Sequence, residues 1–325
     1  MKRNYYLLFL VAAFFCSGCN SYSKQNERKD EIMEIKTPQF NSDSAFTYIE
    51  NQVIFGARVP LSKAHENCAT YLQQTMQRFA DTVMVQEGLV ELYDGSVVTA
   101  KNIISSYCPW SKNRILLCAH WDSRPFSDNE DSNVFTPVLG ANDGASGVGV
   151  LMEIARCLAQ DGLQIGIDII FFDVEDQGIP EFEDDYKDNT WCLGSQYWSK
   201  TPHTMFYRAN YGILLDMVGN SNPRYTKEEV SRVFAPGLVE KVWNVANQLG
   251  YGLSFVNQNT PAILDDHLYV NQIAQIPMID IVQNQEGTSF FEHWHTVNDN
   301  IDVIDKDALK QVAHVVYTIL YSETK

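Results

Sequence analysis

Residues 114–122 read RILLCAHWD, a continuous apolar run that ends in a His-Trp-Asp triplet. Two later stretches follow the same design: IGIDIIFFDVED at 165–176 and YGILLDMVG at 211–219. Apolar runs that are continuous rather than alternating are typical of strands buried on both faces of a sheet. Because ligands bind beyond the carboxyl ends of such strands, the polar residues that follow each run should share one crevice.

Amphipathic helices separate these predicted strands. Apolar residues recur at helical spacing over residues 68–79, 148–158, 238–249 and 309–319. A further apolar run at 276–282 predicts another buried strand, and the more alternating residues 97–105 predict a strand nearer an edge. Strands that alternate with helices predict an α/β fold: a mixed, largely parallel central β-sheet flanked by helices on both faces.

Composition favours one domain and excludes one class of partner. The 325 residues are 45% hydrophobic and carry a net charge of −17. No repeat or flexible linker divides the middle of the chain, so we expect a single catalytic domain over residues 37–325. Its acidic surface repels polynucleotides, which excludes nucleic acid as a partner. An odd number of cysteines leaves disulfide pairing open: Cys68, Cys108, Cys118, Cys157 and Cys192.

The first residues predict an export signal. Two cations precede an apolar run too short to span a bilayer, which is the pattern of a signal peptide over residues 1–18. Small residues directly before Cys19 resemble a lipoprotein cleavage site, and ordinary signal cleavage at this place is the alternative. Residues 19–36 are polar and predict a flexible tether. We expect a protein on the periplasmic side of a bacterial membrane, attached only through a lipid on Cys19.

Acids and histidines stand in apolar surroundings at five places in the sequence. Such groups are costly to bury unless something binds them, and a divalent cation such as zinc is the usual binder. Most have a simpler alternative, since Asp143 could cap the helix that follows it and Glu175 with Asp176 could form a solvated turn. Their arrival from several predicted strands favours a metal site. The five places are His120 with Asp122, Asp143, Glu175 with Asp176, Asp216, and His295.

Two of these segments suggest particular chemistry. Adjacent residues point apart, so one of Glu175 and Asp176 can bind a metal while the other faces substrate as an acid or base. Trp294 stands next to His295 and can supply an apolar wall for a small organic group. The triplet Asp265-Asp266-His267 adds further acids, and we expect His267 to be a hydrogen-bonded structural histidine.

The motifs resemble a known family. Their order, His-x-Asp, Gly-Ala-x-Asp, Glu-acid, Asp and His-Thr, resembles the zinc-dependent aminopeptidase superfamily. Within it, four segments look like the animal-type glutaminyl cyclases and their bacterial relatives, and the resemblance covers residues 40–322. The segments are CAHWDSR at 118–124, LLDMVG at 214–219, DDH at 265–267 and WHTVNDN at 294–300.

The resemblance implies a reaction and a set of site residues. The reaction converts the N-terminal glutamine of peptides and proteins to pyroglutamate, releases ammonia and uses one zinc per chain. We also expect the protein to be a monomer. Animal members carry Glu where Asp176 stands and His where Asp280 stands. The implied site comprises the zinc ligands Asp143, Asp176 and His295, the general acid/base Glu175, the network acids Asp216 and Asp265, and the pocket wall Trp294. A second pocket tryptophan has no clear match, and Trp191 is a candidate for it.

Two other functions compete with the cyclase. A two-zinc aminopeptidase would use His120 and Asp216 for its second metal, with Asp143 as a bridge, and all three residue types are present. A hydrolase must generate hydroxide, often between two metals, whereas a cyclase carries its nucleophile within the substrate. A catalytically silent lipoprotein should have lost Glu175 or a zinc ligand, and none is missing. The sequence therefore favours the cyclase.

Overall fold

A six-stranded β-sheet forms the centre of the fold in a computed structural model, which describes residues 39–184, 187–284 and 290–324. The strands are β1 (Thr82–Glu91), β2 (Val97–Tyr107), β3 (Arg114–His120), β4 (Gly166–Phe172), β5 (Tyr211–Asp216), β6 (Tyr225–Lys227), β7 (Phe255–Asn259) and β8 (Met278–Val282). The strand order in the six-stranded sheet is β1-β2-β4-β3-β5-β8, and β6 pairs with β7 in a separate sheet. β4, β3, β5 and β8 are parallel, whereas β2 is antiparallel to both neighbours. The predicted mixed, largely parallel sheet is confirmed.

Helices cover both faces of this sheet. They are α1 (Ser42–Val53), α2 (Lys63–Met76), α3 (Ala145–Asp161), α4 (Leu193–Lys200), α5 (Glu229–Phe234), α6 (Pro236–Gln248), α7 (Asp266–Tyr269) and α8 (Lys306–Ser322). Alternate residues of β3 show the two layers. Ile115, Leu117 and Ala119 join a core cluster with α1, α2, α3, α6 and α8. Leu116 and Cys118 point into a second cluster that includes Trp198 of α4.

The predicted elements match the structure, but the prediction omits the helices α1, α4, α5 and α7 and the strands β1, β6 and β7. The four predicted helices correspond to α2, α3, α6 and α8, and the predicted strands correspond to β2, β3, β4, β5 and β8. β1 is missing from the prediction because most of its residues are exposed or half-buried, so it lacks a continuous apolar run. β1, rather than β2, therefore forms the edge of the sheet on this side.

The predictions for the first residues lie outside the described part of the chain. The signal peptide over 1–18, the tether over 19–36 and the lipid on Cys19 thus stay predictions. The described residues all fall within one compact unit, which extends from Ile35 to Lys325. None of their helices is both long and apolar enough to cross a membrane. The five cysteines of this unit are free thiols.

Small residues let α3 approach the sheet closely. A Cβ added to Gly147 would lie 2.1 Å from the backbone oxygen of Leu215 in β5. It would also lie 3.0 Å from the Cβ of Ala119 in β3. Since real Cβ atoms do not approach so closely, only glycine permits this contact. It holds the start of α3, and Asp143 before it, against the carboxyl ends of two central strands.

We predict that Gly147→Ala lowers the free energy of unfolding by about 1–3 kcal/mol, because the added methyl meets rigid backbone. Gly237→Ala in α6 is the matched control, since nothing lies within 4 Å of its added Cβ. This control should be neutral or stabilising by up to about 1 kcal/mol, because alanine favours helices. Urea unfolding of both variants measures the difference. Equal stability of the two would show that the close approach of α3 is not tight.

Candidate active site

The parallel strands bring the predicted site residues to one edge of the sheet. His120 is the last residue of β3 and Asp216 is the last residue of β5. Glu175 and Asp176 follow β4 after a two-residue turn. Two loops complete the group: Asp143 precedes α3, and His295 lies in the turns between β8 and α8. All of these side chains are buried or nearly so.

Asp143, Asp176 and His295 offer donor atoms that lie within 4.8 Å of one another. His295 Nε2 is 3.0 Å from Asp176 Oδ1 and 3.7 Å from Asp143 Oδ2. Ligands about 2.0–2.1 Å from a tetrahedral zinc are roughly 3.3 Å apart, which these distances bracket. Asp176 Oδ2 is buried without a hydrogen-bond partner among the described residues, as expected for an atom that binds a cation. The donor set fits one divalent ion.

Asp143 does not cap α3, which removes the alternative to its metal interpretation. The N-cap of α3 is Gly144, and no side chain caps the helix. The carboxylate of Asp143 lies instead between two imidazoles, with Oδ1 2.9 Å from His120 Nε2. Asp299 fixes the loop, since its carboxyl oxygens accept hydrogen bonds from the backbone N–H groups of Asn142 and Asp143 at 2.8 and 3.1 Å.

The residues for a second metal also meet. His120 Nε2 lies 3.2 Å from Asp216 Oδ1, and it shares its other neighbour, Asp143, with the first group. His120, Asp143 and Asp216 thus form a second group of potential ligands. Burial raises the pKa of Asp216 to about 7. The structure contains the ligands that a two-metal site would need. The identity of these ligands therefore does not distinguish a one-zinc cyclase from a two-zinc aminopeptidase.

Glu175 is placed to move a proton. The Cys192 thiol donates to Glu175 Oε1 at 3.2 Å, and Oε2 lies 3.9 Å from His120 Nδ1. Burial raises the pKa of Glu175 well above its usual range, and the negative charges of neighbouring acids raise it further. The backbone N–H groups of Glu175 and Asp176 both donate to Asp122, at 3.0 and 3.1 Å. Asp122 therefore fixes the turn that carries the acid pair.

Strained backbone positions adjoin this group. Val174, Cys192, Met217 and His295 all have left-handed φ values, between 48° and 57°. That conformation is rare for residues other than glycine, most of all for a β-branched valine, and costs on the order of 1–3 kcal/mol per residue. Each of these residues is a predicted site residue, adjoins one in sequence, or contacts one. The surrounding structure therefore holds the site loops in one conformation.

An apolar pocket opens above the acids. Its cavity of about 310 Å³ is lined by Asp143, Glu175, Asp176, Asp216, Asp265 and His295 on the polar side, and by residues such as Ile263, Leu264 and Phe290 on the other. The Trp294 ring stacks on His295, with ring centroids 3.9 Å apart. Trp191, a mere candidate in the sequence, lies parallel to His295 with centroids 5.9 Å apart. Both tryptophans thus form pocket wall.

Several contacts at the site were not foreseen from the sequence. Asp128 Oδ1 lies 3.5 Å from His295 Nδ1, on the side away from Asp176, and Arg124 forms a salt bridge with the same carboxylate. Its surroundings, Ser-Asp-Asn-Glu-Asp, look like a solvated turn. Only the charged Arg124 four residues earlier hinted at a buried pair. No pattern in the sequence indicated that Cys192 contacts Glu175.

Two histidines away from the pocket have structural partners. His267 is fully buried with Nε2 3.2 Å from Glu228 Oε1, which confirms the expectation of a hydrogen-bonded histidine. His65 also has an acidic partner. Its Nε2 contacts Asp173 Oδ1 at 2.9 Å, and its ring stacks on Trp121. Sequence could not show this pair because the two residues lie 108 positions apart.

Similarity to known proteins agrees with this geometry. The model of peptidase family M28 matches residues 102–320, more than half of the chain. The chain belongs to peptidase family M28. Its fold resembles the crystal structure of Bacteroides thetaiotaomicron glutaminyl cyclase bound to N-acetylhistamine, with a TM-score of 0.86 and 50% identity. That match covers 88% of this chain and 99% of the other.

Two further relatives are named for two different activities, an exopeptidase and a cyclotransferase. A Zn-dependent exopeptidase from Parabacteroides distasonis has a TM-score of 0.86 and 48% identity, over 88% of this chain and 99% of that one. The glutaminyl-peptide cyclotransferase of Bothrops jararaca is 25% identical over 67% of this chain. The match spans 64% of that curated relative, less than two thirds of its length. The resemblance to animal-type glutaminyl cyclases and their bacterial members is confirmed.

We predict that Asp128→Asn weakens zinc binding about 10–100-fold, because the partner of a ligating histidine orients its ring and raises its basicity. Competition with a chromogenic chelator measures the affinity. Asp131→Asn, an exposed acid of the same loop, is the matched control and should leave the affinity unchanged. If both variants bind zinc as tightly as the parent, Asp128 does not support His295.

Proposed function

We propose that this protein is a glutaminyl cyclase that converts the N-terminal glutamine of peptides and proteins to pyroglutamate and releases ammonia. The observation that carries the proposal is the position of Glu175. Its carboxyl lies beside the Asp143, Asp176 and His295 group on the polar side of an apolar, tryptophan-walled pocket. Over 88% of its length, the chain matches a Bacteroides thetaiotaomicron glutaminyl cyclase with 50% identity.

One zinc per chain belongs to this proposal, with Asp143, Asp176 and His295 as its ligands. Three protein ligands with an open fourth position are typical of catalytic zinc. Zinc held by these residues would supply Lewis-acid polarisation of the substrate's side-chain carbonyl. Asp128 contacts His295 on the side away from Asp176 and is itself held by a salt bridge with Arg124. Trp294 stacks on the His295 ring, and Trp191 lies parallel to it.

Glu175 moves the proton that the cyclisation requires. Because Cys192 donates to Oε1, the free oxygen is Oε2, which can accept a proton from the attacking α-amine. The amine nitrogen bonds to the side-chain amide carbon and closes the five-membered lactam. Glu175 then returns the proton to the departing nitrogen, which leaves as ammonia. No water is consumed, because the nucleophile and the reacting amide belong to one residue held in one pocket.

Neighbouring groups suit this role. Asp216 and Asp265 line the pocket beside Glu175. Burial raises the pKa of Asp265 as well as that of Asp216, so the cluster can share protons. The cavity, about 310 Å³, is near the lower end of ligand pockets and suits a terminal residue better than a length of chain. Trp191 and Trp294 would hold the glutamine side chain.

A two-zinc aminopeptidase is the alternative. His120, Asp143 and Asp216 meet as a second ligand group, and an exopeptidase is 48% identical to this chain. On the cyclase proposal, His120 serves instead as a hydrogen-bond partner of Asp143 and Asp216. Cellular location belongs to the proposal as well: an exported monomer, attached to the periplasmic face of a membrane through a lipid on Cys19. The charged and apolar segments of residues 1–18 support it.

We predict that the purified protein releases ammonia from a Gln-initiated peptide and that Glu175→Gln lowers kcat by about 10²–10⁴-fold, the usual contribution of an acid/base group. The variant should retain zinc, since Glu175 is not among the proposed ligands. Ammonia release and metal content are measured on the same samples. Glu183→Gln, an exposed acid, is the control and should match the parent. A Glu175→Gln enzyme with full activity would contradict the assigned role.

A further inference from the structure

A buried histidine–aspartate pair adjoins the turn that carries Glu175 and Asp176. His65 of α2 is 2% exposed, and Asp173, directly after β4, is fully buried. His65 Nε2 lies 2.9 Å from Asp173 Oδ1 and 3.0 Å from Oδ2, so the ring contacts both carboxyl oxygens. The imidazole also stacks on Trp121, with ring centroids 4.4 Å apart. These three side chains do not line the substrate pocket, so any effect of the pair on the reaction is indirect.

Asp173 takes the place of a strand partner at the point where β4 ends. β2 pairs with β4 up to Ile103 and Phe171, and β2 then extends past the end of β4 through Asn102 and Lys101. The Lys101 N–H donates to Asp173 Oδ2 at 2.7 Å. In return, the Asp173 N–H donates to Asn102 Oδ1 at 3.0 Å. Because buried backbone groups need hydrogen-bond partners, these contacts fix Asp173 against β2.

The same carboxylate holds the strained turn that follows. Val174 has a left-handed φ of 56°, which a β-branched residue rarely adopts. Its N–H donates to Asp173 Oδ1 at 2.9 Å, and its carbonyl accepts a hydrogen bond from the N–H of Leu193 at 2.9 Å. Glu175 and Asp176 come directly after this turn. The position of the Asp173 carboxylate therefore decides the direction in which the acid pair leaves the sheet.

His65 supplies the side-chain donor that this buried carboxylate needs. Each oxygen of Asp173 accepts one backbone N–H, from Lys101 or from Val174, and the imidazole N–H lies between the two oxygens. A carboxylate that is fully buried is costly unless donors or positive charge surround it. Without the imidazole, the turn would have to rearrange until water or another group reached the carboxylate. His65 thus opposes relaxation of the left-handed residue.

The location of the pair favours a role in geometry over a role in stability alone. A buried pair of this kind is a weak source of stability, because desolvation of both groups offsets their attraction. Three elements nevertheless meet at Asp173: α2 through His65, β2 through Lys101, and α4 through Gly194. A Cβ added to Gly194 would clash with the backbone oxygen of Asp173. Asp173 is thus enclosed immediately before the turn that leads to the site.

We propose that His65 is a positioning residue, which acts through Asp173 and the Val174 turn to aim Glu175 at the substrate and Asp176 at the zinc. This inference rests on the roles proposed above for those two acids. Displacement of a reacting group by about 1 Å can lower the rate on the order of 10²-fold. The tryptophan walls of the pocket belong to other segments, so substrate affinity should depend little on His65.

His65→Leu tests the proposal, because leucine retains apolar contact with Trp121 but lacks the N–H donor. We expect kcat for a Gln-initiated peptide to fall roughly 10–100-fold at saturating zinc, with KM within about twofold of the parent. Zinc affinity, measured by competition with a chromogenic chelator, should fall about tenfold because Asp176 shares the turn. In His65→Gln the amide N–H can still reach Asp173, so this variant should recover most of both losses.

His314→Leu in α8 is the matched control. The ring of His314 is half-buried, and its Nδ1 lies 3.0 Å from the hydroxyl oxygen of Tyr251, away from the acid pair. Loss of this contact should change the free energy of unfolding in urea but neither kcat nor zinc affinity. A purely structural role of His65 predicts the same pattern for His65→Leu, with parent values of kcat and zinc affinity in the folded protein, and that result would overturn the proposal.

The conservative variant provides a second way to refute the proposal. If His65→Gln is as impaired as His65→Leu, packing of the ring rather than its hydrogen bond is responsible, and the proposal is wrong. Should His65→Leu not fold, His65→Asn, whose shorter amide does not reach Asp173, takes its place in the comparison. Zinc affinity keeps the test separate from the cyclase proposal. A parent protein that binds zinc but releases no ammonia contradicts the cyclase, whereas the zinc affinities of the variants still report on His65.

Discussion

The carboxylate of Asp143, held between the imidazoles of His120 and His295, is the interaction on which the site depends. It joins the two groups of potential ligands, and His120 and His295 lie far apart in the sequence. A carboxylate buried at the edge of an apolar sheet is costly unless charges or donors surround it. The imidazoles of His120 and His295 meet this requirement. The close approach of α3 and the backbone hydrogen bonds to Asp299 fix the loop that carries Asp143. Other site residues are arranged around this fixed point.

Rigidity follows from the same constraint. Buried parallel strands fix His120 and Asp216 at their carboxyl ends, while the acids after β4 depend on hydrogen bonds from their backbone to Asp122. Left-handed residues at the turns would relax in a loose loop, so their presence indicates tight support. A site preorganised in this way suits a reaction whose nucleophile lies within the substrate, since orientation supplies much of the rate.

The sequence predicted the sheet and the main helices because buried elements leave unbroken periodic patterns. It predicted the positions of His120, Glu175 and Asp216 because acids and histidines directly after apolar runs are unusual. It failed at β1, which is largely exposed, and at Asp128, whose neighbours look like a solvated turn. Trp191 stayed a candidate because the acidic segment before it has no periodicity. Contacts such as the one between Cys192 and Glu175 depend on tertiary packing, which no local pattern records.

The number of metals needed for catalysis is the question that sequence and fold leave to chemistry, because the same side chains serve both one-zinc and two-zinc enzymes. A cyclase needs one ion to polarise the substrate, whereas a hydrolase often uses two to generate hydroxide. The most direct measurement is the recovery of activity when zinc is added stepwise to chelator-treated protein, with a Gln-initiated and a Leu-initiated peptide assayed in parallel. We expect cyclisation to recover fully at one equivalent per chain, with no release of leucine. Recovery that requires two equivalents and is accompanied by leucine release would contradict the account.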